Sequence, residues 1–274
     1  HFLFLFALFS LILPYNQFKM KNKFVIWGMP LFMFFCGGCS GTHYVLSGIS
    51  RQRILIDSVY DSQPDAKAEA FVAPYTHVVD SLMNPVVGYS GKYMINHRPE
   101  SELSDLFSDI LIWGAESFHE HPDFGIYNIG GIRAAIPKGA VTVGDIFDTA
   151  PFENKICFLT LKGSDVLDLF RQIAMRGGEG VSRGVNLVIS KEGKLLKAEI
   201  HGKLVDPDAL YRVATLDYLA QGNDDMVAFQ KGTDVVSPQE KKNDVRFLIR
   251  AYFESQMKNG VTIDPQIEGR IIVK

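Results

Sequence analysis

The stretch Tyr127-Asn-Ile-Gly-Gly-Ile-Arg133 decides how this chain is read. The apolar run Phe124 to Ile129 has the character of a short strand, and it runs directly into Gly130-Gly131. Adjacent glycines permit a tight turn and close backbone approach. Such a turn brings Asn128 and Arg133 to one strand end. Arg133 there offers a planar fork suited to a phosphate-like anion. Working outward, Arg98-Pro-Glu-Ser-Glu-Leu-Ser-Asp-Leu106 enters a helix. Downstream, Gly144-Asp-Ile-Phe-Asp-Thr-Ala-Pro-Phe-Glu-Asn154 carries Phe152 behind Pro151. Further on, Ala214-Thr-Leu-Asp-Tyr-Leu-Ala-Gln-Gly-Asn-Asp224 leaves a strand and carries Tyr218 and Asp224. Each piece alone has an ordinary reading. Phe152 and Tyr218 would be core or rim aromatics, and Asp224 a turn residue or helix cap. Arg98 and Arg133 would be surface ion pairs.

Together, in this order and spacing, the four segments resemble the C-terminal, substrate-binding domain of the 5'-nucleotidase family, which includes UDP-sugar hydrolases and 2',3'-cyclic phosphodiesterases. The resemblance runs from about Tyr89 to Lys274. Its most specific part is Asn-x-Gly-Gly-x-Arg followed by Pro-Phe-x-Asn. The fold it implies is a layered α/β/β/α sandwich with mixed sheets. It also implies a nucleotide pocket. There Arg98 and Arg133 hold phosphate, Asn128 lies near the base edge, and Gly130 and Gly131 let the backbone approach. Phe152 and Tyr218 sandwich the base, an interaction worth roughly 1–3 kcal/mol per base and tolerant of base identity. Asp224 accepts hydrogen bonds from ribose hydroxyls. Three departures stand out. Gly222-Asn223-Asp224 replaces the usual Gly-Gly-Asp, and Asn is well suited to a positive φ at position 223. Tyr218 replaces a common Phe, keeping a stacking face and adding a hydroxyl. Ser104-Asp105 replaces Gly-Asn, which puts a negative charge near Arg98 and is expected to weaken phosphate binding.

The resemblance also implies a metallophosphatase domain that holds two metals and activates water. The segment between Cys39 and Tyr89 is too short to be one. No Walker loop, dinucleotide fingerprint or nucleophile elbow occurs. Asn96-His97 invites comparison with a metallophosphatase Asn-His element, but no Asp-x-His exists and Arg98 stands where a carboxylate is expected. His119-x-His121, beside Pro122, reads as a loop. The expectation is a chain with no catalytic residues, metal or cofactor of its own. It would bind nucleotide or nucleoside, while divalent metals come from a separately encoded metallophosphatase partner. The alternative is a non-catalytic, nucleoside-binding surface lipoprotein.

Phe residues are concentrated at the start, with nine of the twenty before position 39. Met20 opens a secretory pattern: Lys21 and Lys23, the apolar run Phe24–Phe35, then Gly37-Gly38-Cys39. The Gly-Cys junction resembles a bacterial lipoprotein site, although Cys36 stands where an aliphatic residue is usual. Residues 1–38 are read as leader, 39–50 as tether and 51–274 as the domain. Cys39 is the expected lipid anchor of a periplasmic or outer-surface protein. Without residues 1–38 the chain keeps 25 Lys and Arg against 31 Asp and Glu, a formal charge of −6. Such a balance argues against nucleic acid as a partner. Cys157 alone in the body excludes a disulfide framework.

Periodicity predicts a strand over 53–60, helices over 65–84, 102–116, 163–175 and 245–258, and strands over 124–129, 155–161 and 211–216. A brief strand is expected at 141–143, a hairpin at 185–190 and 195–200, and a closing strand at 270–273. Residues 88–94 read as a link and the four-glycine stretch 177–184 as a loop.

Overall fold

The computed structural model describes residues 44–55, 57–59, 62 and 64–274. The leader 1–38, Cys39 and the first part of the tether lie outside the described residues. Two compact units divide the chain, His1–Pro64 and Asp65–Lys274. In the first, the described residues are exposed and form no strand. The expected strand at 53–60 is therefore not found among them. Ile54 and Leu55 are more than half exposed there, and no neighbouring strand takes up their backbone groups.

The second unit starts with α1 (Ala66–Met83), whose first turn is capped by the Asp65 carboxylate accepting from the Lys67 and Ala68 amides. It continues through β1 (Val86–Ser90), α2 (Glu102–Ala115), β2 (Phe124–Tyr127), β3 (Gly139–Thr142), α3 (Val143–Thr149) and β4 (Ile156–Lys162). Next come α4 (Gly163–Met175), β5 (Gly180–Val181), β6 (Val185–Ile189), β7 (Leu195–Ile200) and β8 (Lys203–Leu204). The chain ends with β9 (Leu210–Leu216), α5 (Asp217–Ala220), β10 (Thr233–Val236), α6 (Val245–Lys258) and β11 (Ile271–Val273).

The strands form a mixed α/β fold. A five-stranded sheet runs β10-β4-β9-β2-β5, a four-stranded sheet runs β11-β6-β7-β8, and β1 pairs with β3. β2 lies parallel to β9, whereas β4 is antiparallel to it through seven successive pairs from Ile156↔Leu216 to Lys162↔Leu210. Helix α2 packs on β2, β5 and β9, and α4 contacts both β4 and β7, so it links the two larger sheets. Their apolar faces supply the core: Leu103, Phe107, Ile110 and Leu111 from α2, and Val166, Leu169, Phe170 and Ile173 from α4, are fully buried. Capping is strong where these helices begin. Ser101 with Ser104 and Thr142 with Asp145 form capping boxes at α2 and α3.

Several elements depart from expectation. The link read over 88–94 holds the last residues of β1, β8 and β10 were not expected, and the glycine loop contains β5, which is held to β2 by only two residue pairs. Helix α1 forms as the spacing predicts, yet none of its residues is buried, and Phe71, Tyr75, Val78, Val79 and Leu82 are all exposed. Among the described residues no helix is long and apolar enough to cross a membrane.

Candidate functional site

At one end of the five-stranded sheet the chain enters β4 at Ile156 and leaves β9 at Leu216, side by side. Phe152 lies just before β4, and Tyr218 lies just after β9, in the first turn of α5. The strand pairing is prolonged there by Asp217 N donating to Lys155 O at 2.9 Å and Lys155 N donating to the Asp217 carboxylate at 3.0 Å. Beside them β2 runs into a single 3-10 turn over Ile129–Gly131. The three strand ends enclose a cavity of about 380 Å³ lined by Asn128, Gly130, Gly131, Arg133, Phe152, Asn154, Tyr218 and Asp224. That size suits a small organic ligand. Phe152 is 48% exposed and Tyr218 36% exposed, so neither ring belongs to the core.

Packing beneath the turn explains its glycine. A Cβ at Gly131 would lie 2.7 Å from Asn128 Oδ1, a separation real side chains do not tolerate. From one side Asn96 Nδ2 donates to the Ile129 and Ile132 carbonyls, at 2.9 and 3.1 Å. From the other, the buried Glu179 accepts from Ile129 N at 2.6 Å. Arg133 keeps its guanidinium at the cavity, with one long bond to the Gly130 carbonyl at 3.3 Å.

Asp224 is the most heavily engaged member. Asn128 Nδ2 donates to its Oδ2 at 2.7 Å, and the Tyr218 hydroxyl donates to its Oδ1 at 3.2 Å. Arg176 Nη2 stands 3.8 Å from Oδ2. Desolvation, then the Asp224 charge, pushes the Tyr218 phenol above its ordinary value, so the hydroxyl remains a donor. Asn128 thus orients a carboxylate, a role the sequence did not suggest. Its own Oδ1 is buried and has no partner.

Seven of the eight residues proposed from sequence line this cavity, and the exception is Arg98. Its Nε donates to the Gly178 carbonyl at 2.9 Å, and its Nη2 pairs with Glu179, which is fully buried. Glu179 also accepts from Arg176 Nε at 2.7 Å. Arg98 therefore braces the wall behind the turn. The expected effect of Asp105 on Arg98 is not found either. Asp105 is buried beside Arg270, whose Nε is 3.4 Å away, and its oxygens have no hydrogen-bond partner. Burial pushes its carboxyl up to about 9 against the pull of Arg270, with Glu100 and Asp109 adding to the rise. Positive φ falls on Gly222, Asp224 and Asp225, not on Asn223, whose amide instead donates to the Tyr218 carbonyl at 2.8 Å.

Sequence reasoning missed Asn154 as a lining residue, although it sits in the Pro-Phe-x-Asn motif, and missed Glu179 and Arg176. No group of three or more His, Cys, Asp or Glu side chains converges as metal ligands among the described residues. A larger recess of about 540 Å³ lies between α2 and α6 beside Trp113 and Tyr252. Its Arg183 is already paired with Glu268 at 2.6 Å. The smaller cavity is distinguished by its chemistry.

Comparisons with known proteins agree with this geometry. Residues 86–231, more than half of the chain, match the model of the 5'-nucleotidase, C-terminal domain. Protein UshA of Escherichia coli is 32% identical over 158 residues, covering 57% of this chain and 29% of its own length. The chain matches about a fifth of the UshA proteins of Salmonella pullorum and Salmonella typhimurium. Among solved structures, a 5'-nucleotidase precursor from Thermus thermophilus superposes with TM-score 0.65 at 24% identity, over 76% of this chain and 43% of its own. The NAD nucleotidase of Haemophilus influenzae gives TM-score 0.54 at 22% identity, over 77% and 41%. These structures share the fold, and the family match, reaching from β1 to the segment before β10, places this chain among the 5'-nucleotidase C-terminal domains.

Proposed function

We propose that the domain binds a nucleotide or nucleoside as the substrate half of a 5'-nucleotidase-type phosphohydrolase. In this reading Phe152 and Tyr218 hold the base, Asp224 receives the ribose hydroxyls, and Arg133 receives phosphate. The observation that carries it is one cavity lined by two exposed aromatic rings, an unpaired-faced arginine fork and an oriented carboxylate. Aromatic faces supply affinity without regard to base, and the charged groups fix orientation. Bond cleavage would take its metal ions and attacking water from a metallophosphatase domain. We assign that domain to a separate chain that docks against this one. The leader pattern around Met20 to Cys39 supports export and anchoring through a lipidated Cys39.

Calorimetry with adenosine and 5'-AMP tests the pocket. Phe152→Ala is expected to weaken both by roughly 1–3 kcal/mol. Unchanged affinity in that variant defeats the base-stacking assignment. Mixing the chain with a cognate metallophosphatase tests the split enzyme. Hydrolysis of 5'-AMP should rise on mixing, and a flat response leaves a nucleoside-binding surface protein in its place.

A further inference from the structure

The hydroxyl that Tyr218 adds to the usual stacking ring is not idle. A carboxylate has about four lone-pair sites. On Asp224 the Oδ2 side is taken by the Asn128 amide at 2.7 Å and faced by Arg176 at 3.8 Å. The Oδ1 side carries the Tyr218 hydroxyl at 3.2 Å. Both Tyr218 and Asp224 line the cavity, so this bond lies where a sugar would approach. The loop between them is built to keep it. Asn223 Nδ2 ties back to the Tyr218 carbonyl at 2.8 Å, and Asp224 itself takes a left-handed conformation with φ 54°.

We infer that the Tyr218 hydroxyl is a latch on Asp224 that competes with a sugar diol for the carboxylate, and that Tyr218 thereby sets how strongly this chain distinguishes ribose from hydroxyl-free sugars. The inference rests on the nucleoside reading of the pocket. A ribose diol exchanges one donor for two, so it gains less here than it would against a free carboxylate. A 2',3'-dideoxy sugar leaves the latch in place and loses nothing to it. Phenylalanine at this position would leave Oδ1 open to the ligand. Tyr218 is therefore a specificity-determining residue in addition to a stacking one, and it narrows the preference for ribose.

Calorimetry of the full chain with adenosine and with 2',3'-dideoxyadenosine, in the wild type and in Tyr218→Phe, is the test. The quantity read is the ratio of the two affinities, in which any general change in stacking cancels. The ratio should grow about fivefold in favour of adenosine in Tyr218→Phe, the scale of one hydrogen bond. An unchanged ratio removes the latch while leaving the pocket intact. A ratio that falls shows that the hydroxyl contacts the sugar directly, and also overturns the inference. If neither nucleoside binds either protein, the nucleoside reading falls and takes the latch with it. Circular dichroism of Tyr218→Phe identifies a variant that has failed to fold. In that event the pair of ligands is compared in Tyr218→Leu, which likewise lacks the hydroxyl and should shift the ratio in the same direction.

Discussion

Two clusters of carboxylates and arginines occupy opposite circumstances in this domain. Around Asp224, the donors are an amide, a phenol and an arginine at 3.8 Å, and the carboxylate faces a cavity. Around Arg270, which is 3% exposed, the guanidinium reaches both Asp109 oxygens, Glu268 and the Val181 carbonyl at 2.8–3.1 Å. Glu100 completes that region by accepting from the amides of Glu268, Gly269 and Ile271, which fastens the C-terminal segment leading into β11. The same residue types give a receptive surface in one place and a closed joint in the other. What separates them is the cation. Arg270 is almost fully buried and meets its partners at hydrogen-bond distance, whereas Arg176 is partly exposed and stands 3.8 Å from Asp224. Asp105, buried beside Arg270, is pushed toward its protonated form by desolvation against the pull of that guanidinium.

The sharpest way to break the contrast is Arg270→Ala. It removes a buried cation that holds Asp109, Glu268 and the Val181 carbonyl together, and should lower unfolding free energy by about 3–5 kcal/mol, measured by denaturant titration. The counterpart at the cavity, Arg133→Ala, should cost 5'-AMP roughly 1.5–3 kcal/mol of binding while adenosine is little affected, read by calorimetry on both ligands. Equal losses for the two would remove phosphate from the role of Arg133. A milder change, Asp105→Asn, should stabilise the fold at alkaline pH by about 1–3 kcal/mol, because the amide has no charge to bury. The sign follows from linkage. The Asp105 carboxyl is raised from 3.8 to about 9, so the folded chain holds a proton that the unfolded chain releases. Stability at this site is greatest at acid pH and falls as pH climbs from about 4 to about 9. Thermal melts at several pH values should show that decline in the wild type and a shallower one in Asp105→Asn. Smallest of all, Arg98→Gln should alter the ratio of 5'-AMP to adenosine affinity by less than about 0.5 kcal/mol. A loss matching that of Arg133→Ala would return Arg98 to the phosphate site.

Much of the cavity was legible because its residues stand in the order and spacing of the 5'-nucleotidase C-terminal domains. Phe152, Tyr218 and the glycine turn each sit within four residues of a strand whose apolar run is plain, and Asp224 lies eight residues past β9. The pairing of Arg98 with Glu179 was not foreseen because the two are 81 positions apart and Glu179 lies inside a stretch dominated by glycine. Nothing local announces such a contact. The Arg270 cluster was hidden for the same reason, with 161 positions between Arg270 and Asp109. Periodicity correctly marked α1 as amphipathic, but an apolar stripe records a capacity for burial and not the surface that provides it. β5 and β10 were missed because short strands owe their existence to the neighbour that receives them.

The antiparallel ladder of β4 and β9 sets where the two aromatic positions leave the sheet. Its last pair is Ile156↔Leu216, and the two aromatic positions lie four residues before one member and two after the other. The backbones that carry the rings therefore part from strands held about 4.8 Å apart by the sheet itself. The places from which the two rings depart are thereby tied to the register of this ladder. A slip of two residues in that register would displace one ring by nearly 7 Å relative to the other. On the nucleoside reading proposed above, a site carried at the end of a sheet needs little ordering of its backbone on binding. On that reading, variation in the surrounding loops retunes which base or sugar enters without altering the ladder.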